Sequence, residues 1–186
     1  MKRFVLFLWI AIAAVPGGSW GVVRAAGADV VQRGPERRHR GYVKDDWSVW
    51  YRGRKVEGAV ASSFSDLGGG YGKDAWAVFY GGRKMEGAAA SSFAVLGGGY
   101  GKDSWSVWFR GCKIEGLSAS SFSALGDGYG KDPWKVVYQG REVPGASSSS
   151  FEELGWGYAR DVWKVYYCGE VIPGASPATF RIPDRR

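Results

Sequence analysis

Histidine is nearly absent from this 186-residue chain. The single copy, His39, stands in an arginine-rich stretch with no cysteine or aspartate partner nearby, which excludes a histidine-built zinc site and leaves a solvated linker residue. Cysteine is scarce as well. Cys112 and Cys168 fall at different places in units two apart, and at about 5 Å per layer of paired strands they should lie beyond the roughly 7 Å Cα separation a bridge tolerates. They are expected to be unpaired or joined between chains, so stability must come from packed aromatics. No G-x-S-x-G elbow, H-E-x-x-H pair or Walker loop occurs, and the runs "SSSS" and "SASS" read as helix caps rather than nucleophiles.

Charge of one sign is also lacking. The whole chain carries +7, but removal of residues 1–28 would take away Lys2, Arg3 and Arg24 and leave +4. Within the remainder Arg54, Lys55, Arg83, Lys84 and Lys113 are followed by Glu57, Glu86 and Glu115, a solvated ladder of both signs. A nucleic-acid binder would show a one-signed stripe, so no nucleic-acid partner is expected. Long apolar runs are confined to the N-terminus. There Lys2 and Arg3 precede "FVLFLWIAIAAV", then "PGGSWGVV" and the small-residue site "AGA" at Ala26 to Ala28, in the order of a secretory signal. The alternative is an uncleaved anchor, since Phe4 to Val23 runs twenty residues without a charge. Pro16, Gly17 and Gly18 interrupt that run and favour cleavage. The division expected is a signal peptide at 1–28, a basic linker at 29–40 and a folded domain at 41–186, exported to the periplasm or cell surface. A membrane contact would come only through the N-terminal segment, were it retained.

What is abundant is periodic. Trp47, Trp76, Trp105, Trp134 and Trp163 are each 29 residues apart, and Tyr42, Tyr71, Tyr100, Tyr129 and Tyr158 keep the same interval. So do Asp45, Asp74, Asp103, Asp132 and Asp161. A fixed period of this size marks one supersecondary unit stacked on its neighbours, because a unit so short cannot bury its own apolar face. The string "GGYGKDAWA" from Gly69 to Ala77 fits the nonapeptide of calcium-binding β-rolls. It recurs once per 29 residues rather than back to back, three of the five copies break it, and Lys or Arg precedes every Asp. One carboxylate beside a cation supplies too few of the roughly six to eight oxygens calcium takes. No metal is expected, and the Asp reads as a turn former that bonds nearby amides.

In one unit, "YGKD" and "WAVFY" read as strands around the Asp turn, "RKMEG" as a third, and "AAASSFAVLG" as a helical turn. In that turn Phe93 and Leu96 would share a face, with Gly97 ending it. In the fourth copy Ser149 with Glu152, or Ser150 with Glu153, has capping-box spacing. Strand alternation places Trp47, Val49 and Tyr51 on the core face and Ser48, Trp50 and Arg52 on the other. The opposite series Trp50, Phe79, Trp108, Val137, Tyr166 is apolar too. Two readings stand: packing under the Phe and Leu of the helical turns, or an exposed aromatic stripe that stacks on sugars or grips a partner.

The unit "YGKDAWAVFYGGRKMEGA…SFAVL", and most closely the fifth copy "YARDVWKVYYCGEVIPGASPATF", resembles the repeat of the DKNYY family of bacterial proteins, over Tyr42 to Phe180. The resemblance implies an exported or envelope-associated repeat protein in a family without an established biochemical activity. The family is expected often to be polar where the repeat Trp stands, which sets a half-exposed placement of Trp47 and its equivalents beside the core one. The Asp of the family's G-A-D is Ser, Ala or Val here, leaving Ser as the cap.

The expected fold is mainly β, five tandem repeats of about three short strands and one helical turn, stacked as an open solenoid-like array, with a closed propeller-like ring as the alternative. The expected function is a non-catalytic interaction or structural module in the cell envelope, without cofactor, monomeric, whose partner is an envelope protein or polysaccharide. The alternative is a carbohydrate-binding module using Trp50, Phe79, Trp108 and Tyr166 as its surface. A cell-wall hydrolase would need two acids from non-equivalent positions in one cleft.

Overall fold

The computed structural model describes residues 41–183. The expected signal peptide, the linker and His39 lie outside them. Within this stretch the chain is almost entirely β. Strands β1 (Tyr42–Lys44), β2 (Val49–Tyr51) and β3 (Arg54–Lys55) form an antiparallel sheet in that order, and β4 (Ser65–Gly68), β5 (Tyr71–Lys73), β6 (Val78–Tyr80) and β7 (Arg83–Lys84) form the next. Three more four-stranded antiparallel sheets follow in tandem, running from Ala94–Gly97 to Cys112–Ile114, from Ser123–Gly126 to Arg141–Glu142 and from Glu152–Gly155 to Glu170–Val171. None of the five is closed.

Two turn chemistries repeat. After the first Tyr-containing strand the Asp carboxylate reverses the chain, and after the second strand a two-residue hairpin does so with both residues in the left-handed region. Arg52 and Gly53 have φ of 50° and 78°, and Arg110 and Gly111 have 47° and 81°. Positive φ at both central positions is the turn whose twist matches paired strands.

The segment expected to be a helical turn is mostly a strand. Ser65–Gly68 pairs with β5 through Ser65↔Lys73, Asp66↔Gly72 and Gly68↔Tyr71, with a bulge between Asp66 and Gly68. Three successive glycines at positive φ, Gly68, Gly69 and Gly70, fold the chain back onto its neighbour, and pairing satisfies more backbone groups than a lone turn could. Phe93 and Leu96 therefore share no helical face: Leu96 belongs to the strand Ala94–Gly97. Among the described residues the helical content reduces to two 3-10 turns, Ala61–Ser63 and Ser148–Ser150, neither with a side-chain cap. The expected capping box is corrected with it, since Glu152 lies in a strand and its carboxylate accepts bonds from Arg160.

The core is shared between neighbours. One cluster joins Tyr71, Val78, Met85, Ala90 and Phe93 of one repeat with Trp108 of the next, and the other three have the same make-up, taking in Phe79, Val137 and Tyr166. Phe64 lies 5.8 Å from Phe79, and Phe151 lies 5.4 Å from Tyr166, ring centroid to ring centroid. Both faces of the middle strand are thus covered, Val78 and Phe79 alike.

Candidate functional site

From the second repeat on, the side chain of the turn Asp is taken up by backbone amides. Asp103 Oδ1 accepts from the amides of Trp105 at 2.8 Å and Ser106 at 2.7 Å, while Oδ2 accepts from Ala89 in the preceding link at 2.9 Å. Asp74, Asp132 and Asp161 repeat the same three bonds. Burial acts to raise the Asp103 carboxyl, but the amides of Ala89, Trp105 and Ser106 outweigh it and hold the acid below its ordinary range, with the same balance at Asp132 and Asp161. The cation before each Asp works in the other direction along the chain. Lys73 Nζ donates to the carbonyls of Ala90 and Phe93 in the following link at 3.0 and 3.3 Å, Lys44 and Lys131 do likewise, and Arg160 reaches Pro177. The Lys-Asp dipeptide is a clamp on both links. Its carboxylate has little left to offer a cation, and no group of three metal-ligating side chains occurs among the described residues.

The Asp turn decides where the repeat tryptophan goes. Its amide is tied to the carboxylate two residues back, so it sits in the turn, and the strand with its alternation begins two residues later at Val49 or its equivalent. The expected core placement of Trp47 is therefore corrected. Trp47, Trp76, Trp105, Trp134 and Trp163 are 89, 82, 82, 74 and 75 % exposed. Each indole stands next to a solvent-facing neighbour, Asp46, Ala75, Ser104, Pro133 or Val162. Serine hydroxyls from the previous repeat's link adjoin the turn: Ser63 Oγ accepts from Ala75 N at 3.2 Å, Ser92 Oγ from Ser104 N at 3.1 Å and Ser150 Oγ from Val162 N at 3.4 Å.

The four residues named from the sequence as a candidate surface lie elsewhere. Trp50, Phe79, Trp108 and Tyr166 are 8, 0, 3 and 0 % exposed, so the stripe follows the packing reading and offers no stacking platform. Their polar tips turn inward: Tyr166 Oη donates to Asp161 Oδ2 at 2.8 Å, and Trp50 Nε1 to Asp45 Oδ2 at 3.4 Å. The exposed tryptophans were signalled by Asp-x-Trp itself, because an Asp that bonds the amides two and three residues on keeps those residues out of a strand.

Cys112 and Cys168 are unpaired. No helix among the described residues is long and apolar enough to cross a membrane. No curated protein and no solved structure matches the chain. A family model does, over residues 42–186, the span that holds all five Tyr, Lys or Arg, and Asp clamps. On that match the chain belongs to the DKNYY family.

Proposed function

We propose that this is an exported, non-catalytic binding protein of the cell envelope that holds a polysaccharide through its five turn tryptophans. The observation that carries the reading is their exposure, from 74 to 89 %, at one equivalent place in every repeat. An indole face matches the apolar face of a pyranose ring, and hydroxyls beside it, such as Ser63 and Ser92, suit the sugar's equatorial groups. A polymer of repeated sugars meets a repeated platform. A protein partner would favour an apolar centre of mixed side chains, whereas here the same exposed indole recurs at one place in every repeat. The five sheets are read as an open, solenoid-like array of one chain, a reading supported by the same bonds recurring at each junction. The signal-like order of residues 1–28 supports export.

Co-sedimentation with insoluble cell-wall glycan tests the reading, with Trp76→Ser, Trp105→Ser, Trp134→Ser beside the parent. At about 1 kcal/mol per ring, the variant should bind roughly a hundredfold more weakly at an unchanged melting temperature. Equal pelleting of both proteins, or of neither, would sink the reading.

A further inference from the structure

A second surface lies at the opposite end of the same strands. Trp47 precedes β2, whereas Arg52 follows it, in the hairpin that leads to β3. Between the first two hairpins runs a groove of about 510 Å³ lined by Arg52, Arg54, Lys55 and Arg83, with Tyr51 and Gly82 among its walls and no acidic side chain. Lys84 and Lys113 engage the glutamate two residues on, at 3.6 and 3.1 Å. Among the described residues no salt bridge engages Arg52, Arg54, Lys55 or Arg83, and of the four only Lys55 acts on a nearby carboxylate, helping to hold Asp45 below its ordinary range. The Arg52 guanidinium lies 5.4 Å from the Tyr51 ring centroid, a contact that steadies it at the groove wall.

The other hairpins supply an internal comparison. At the positions of Arg52, Arg54 and Lys55 the second repeat has Gly81, Arg83 and Lys84, the third Arg110, Cys112 and Lys113, the fourth Gln139, Arg141 and Glu142, and the fifth Cys168, Glu170 and Val171. Formal charge at these positions falls from +3 through +2 and +2 to 0 and −1. Packing cannot be the reason, because all five hairpins have the same left-handed backbone and all these side chains except Cys168 and the glycine are exposed. Concentrated guanidinium and ammonium groups without a salt bridge are the chemistry that captures phosphate and carboxylate oxygens.

We infer that the groove between the first two hairpins is an anion site that takes a linear polyanion, its charges phosphates or carboxylates. It is separate from the tryptophan face and stands whether or not that face binds glycan.

The test is equilibrium binding of the full chain to surfaces carrying inorganic polyphosphate, polyacrylate, uncharged polyacrylamide, or vesicles of phosphatidylglycerol with phosphatidylcholine. The variant Arg52→Gln, Lys55→Glu, Arg83→Glu uses residues that this protein already carries at those positions in its fourth and fifth repeats, so the hairpins accept them. Arg110→Gln with Lys113→Glu and Arg141→Glu shifts the formal charge by the same amount and controls for it, and Trp76→Ser with Trp105→Ser controls for the other face. The parent should bind at least one of the two polyanions and not the uncharged polymer, with affinity falling steeply as salt rises. The groove variant should bind about tenfold more weakly or worse, with a shallower salt dependence, while both controls stay within about twofold of the parent. Polyphosphate alone or polyacrylate alone would assign the charge to one chemistry and still support the site. Absence of binding to both polyanions, binding confined to vesicles, or equal loss in the groove variant and the charge control would overturn it. So would an unchanged groove variant, which would place the attraction in the arginines of residues 33–40.

Discussion

Tyrosine hydroxyls hold successive repeats together. Tyr100 Oη donates to Gly128 O at 2.7 Å and accepts from Gly140 N at 3.2 Å, and Tyr42, Tyr71 and Tyr129 make the same pair of bonds one repeat on. Burial pushes the phenols of Tyr71, Tyr100 and Tyr129 from 10.0 up to about 12, with the amide donors opposing it. A folded pKa raised above the unfolded one gives a contribution that is whole below pH about 10 and lost as the pH climbs towards 12. The aspartates have the opposite sign. With Asp45, Asp103, Asp132 and Asp161 lowered, their contribution is whole above the unfolded value of about 3.9 and declines as the pH falls below it. Stability should therefore be level between pH of about 5 and 10 and fall at both ends. Tyr100→Phe, which deletes both bonds, should cost about 1–3 kcal/mol in urea unfolding at neutral pH. The same variant should flatten the alkaline limb and leave the acid limb alone, which a mere packing defect would not do.

The hairpin is the element through which one sheet touches the one before it. Gly111 has φ of 81°, its amide reaches back to Tyr71 Oη at 3.3 Å, and a Cβ there would lie 2.7 Å from Tyr80 Cβ in the preceding repeat. Backbone conformation and contact both demand glycine. Gly101 differs: its φ is ordinary, and a Cβ would press on the far edge of the Phe93 ring at 2.5 Å, at a position where the fifth repeat carries a fully buried Ala159. Gly111→Ala should therefore cost about 2–3 kcal/mol, from strain and overpacking together, and Gly101→Ala about 1 kcal/mol. Thermal or urea denaturation of the two variants side by side gives the ordering, and a reversed order would mean that the hairpin relaxes where the strand cannot.

Across the whole molecule the junctions are interchangeable. Successive repeats offer their neighbours a tyrosine, a Lys-Asp or Arg-Asp clamp and a buried apolar side chain at equivalent places, so stability is close to a sum of units and interfaces. Removal of residues 100–128 joins Gly99 to Tyr129 and recreates a junction of the same sequence type as the two it replaces. The shortened protein should keep its β circular-dichroism signature and unfold in urea with an m-value lower by roughly one fifth, in proportion to the surface lost. Loss of folding on this deletion would mean that the third repeat, with Trp108 buried in its neighbour's cluster, is a keystone and not one of a set.

Much was readable from residue order alone. The 29-residue period, the Asp turn and the strands on either side of it depend on contacts within a few residues, which sequence states directly. Tertiary structure decided the rest because burial and pairing belong to neighbours, not to a residue. Ser65–Gly68 became a strand when a partner came within bonding reach, and Trp50, Phe79, Trp108 and Tyr166 were buried because the adjacent repeat covers the face that alternation left open. Trp47 and its equivalents stayed outside because the Asp bonds end the strand before reaching them, and four cations met in one groove because two hairpins lie side by side.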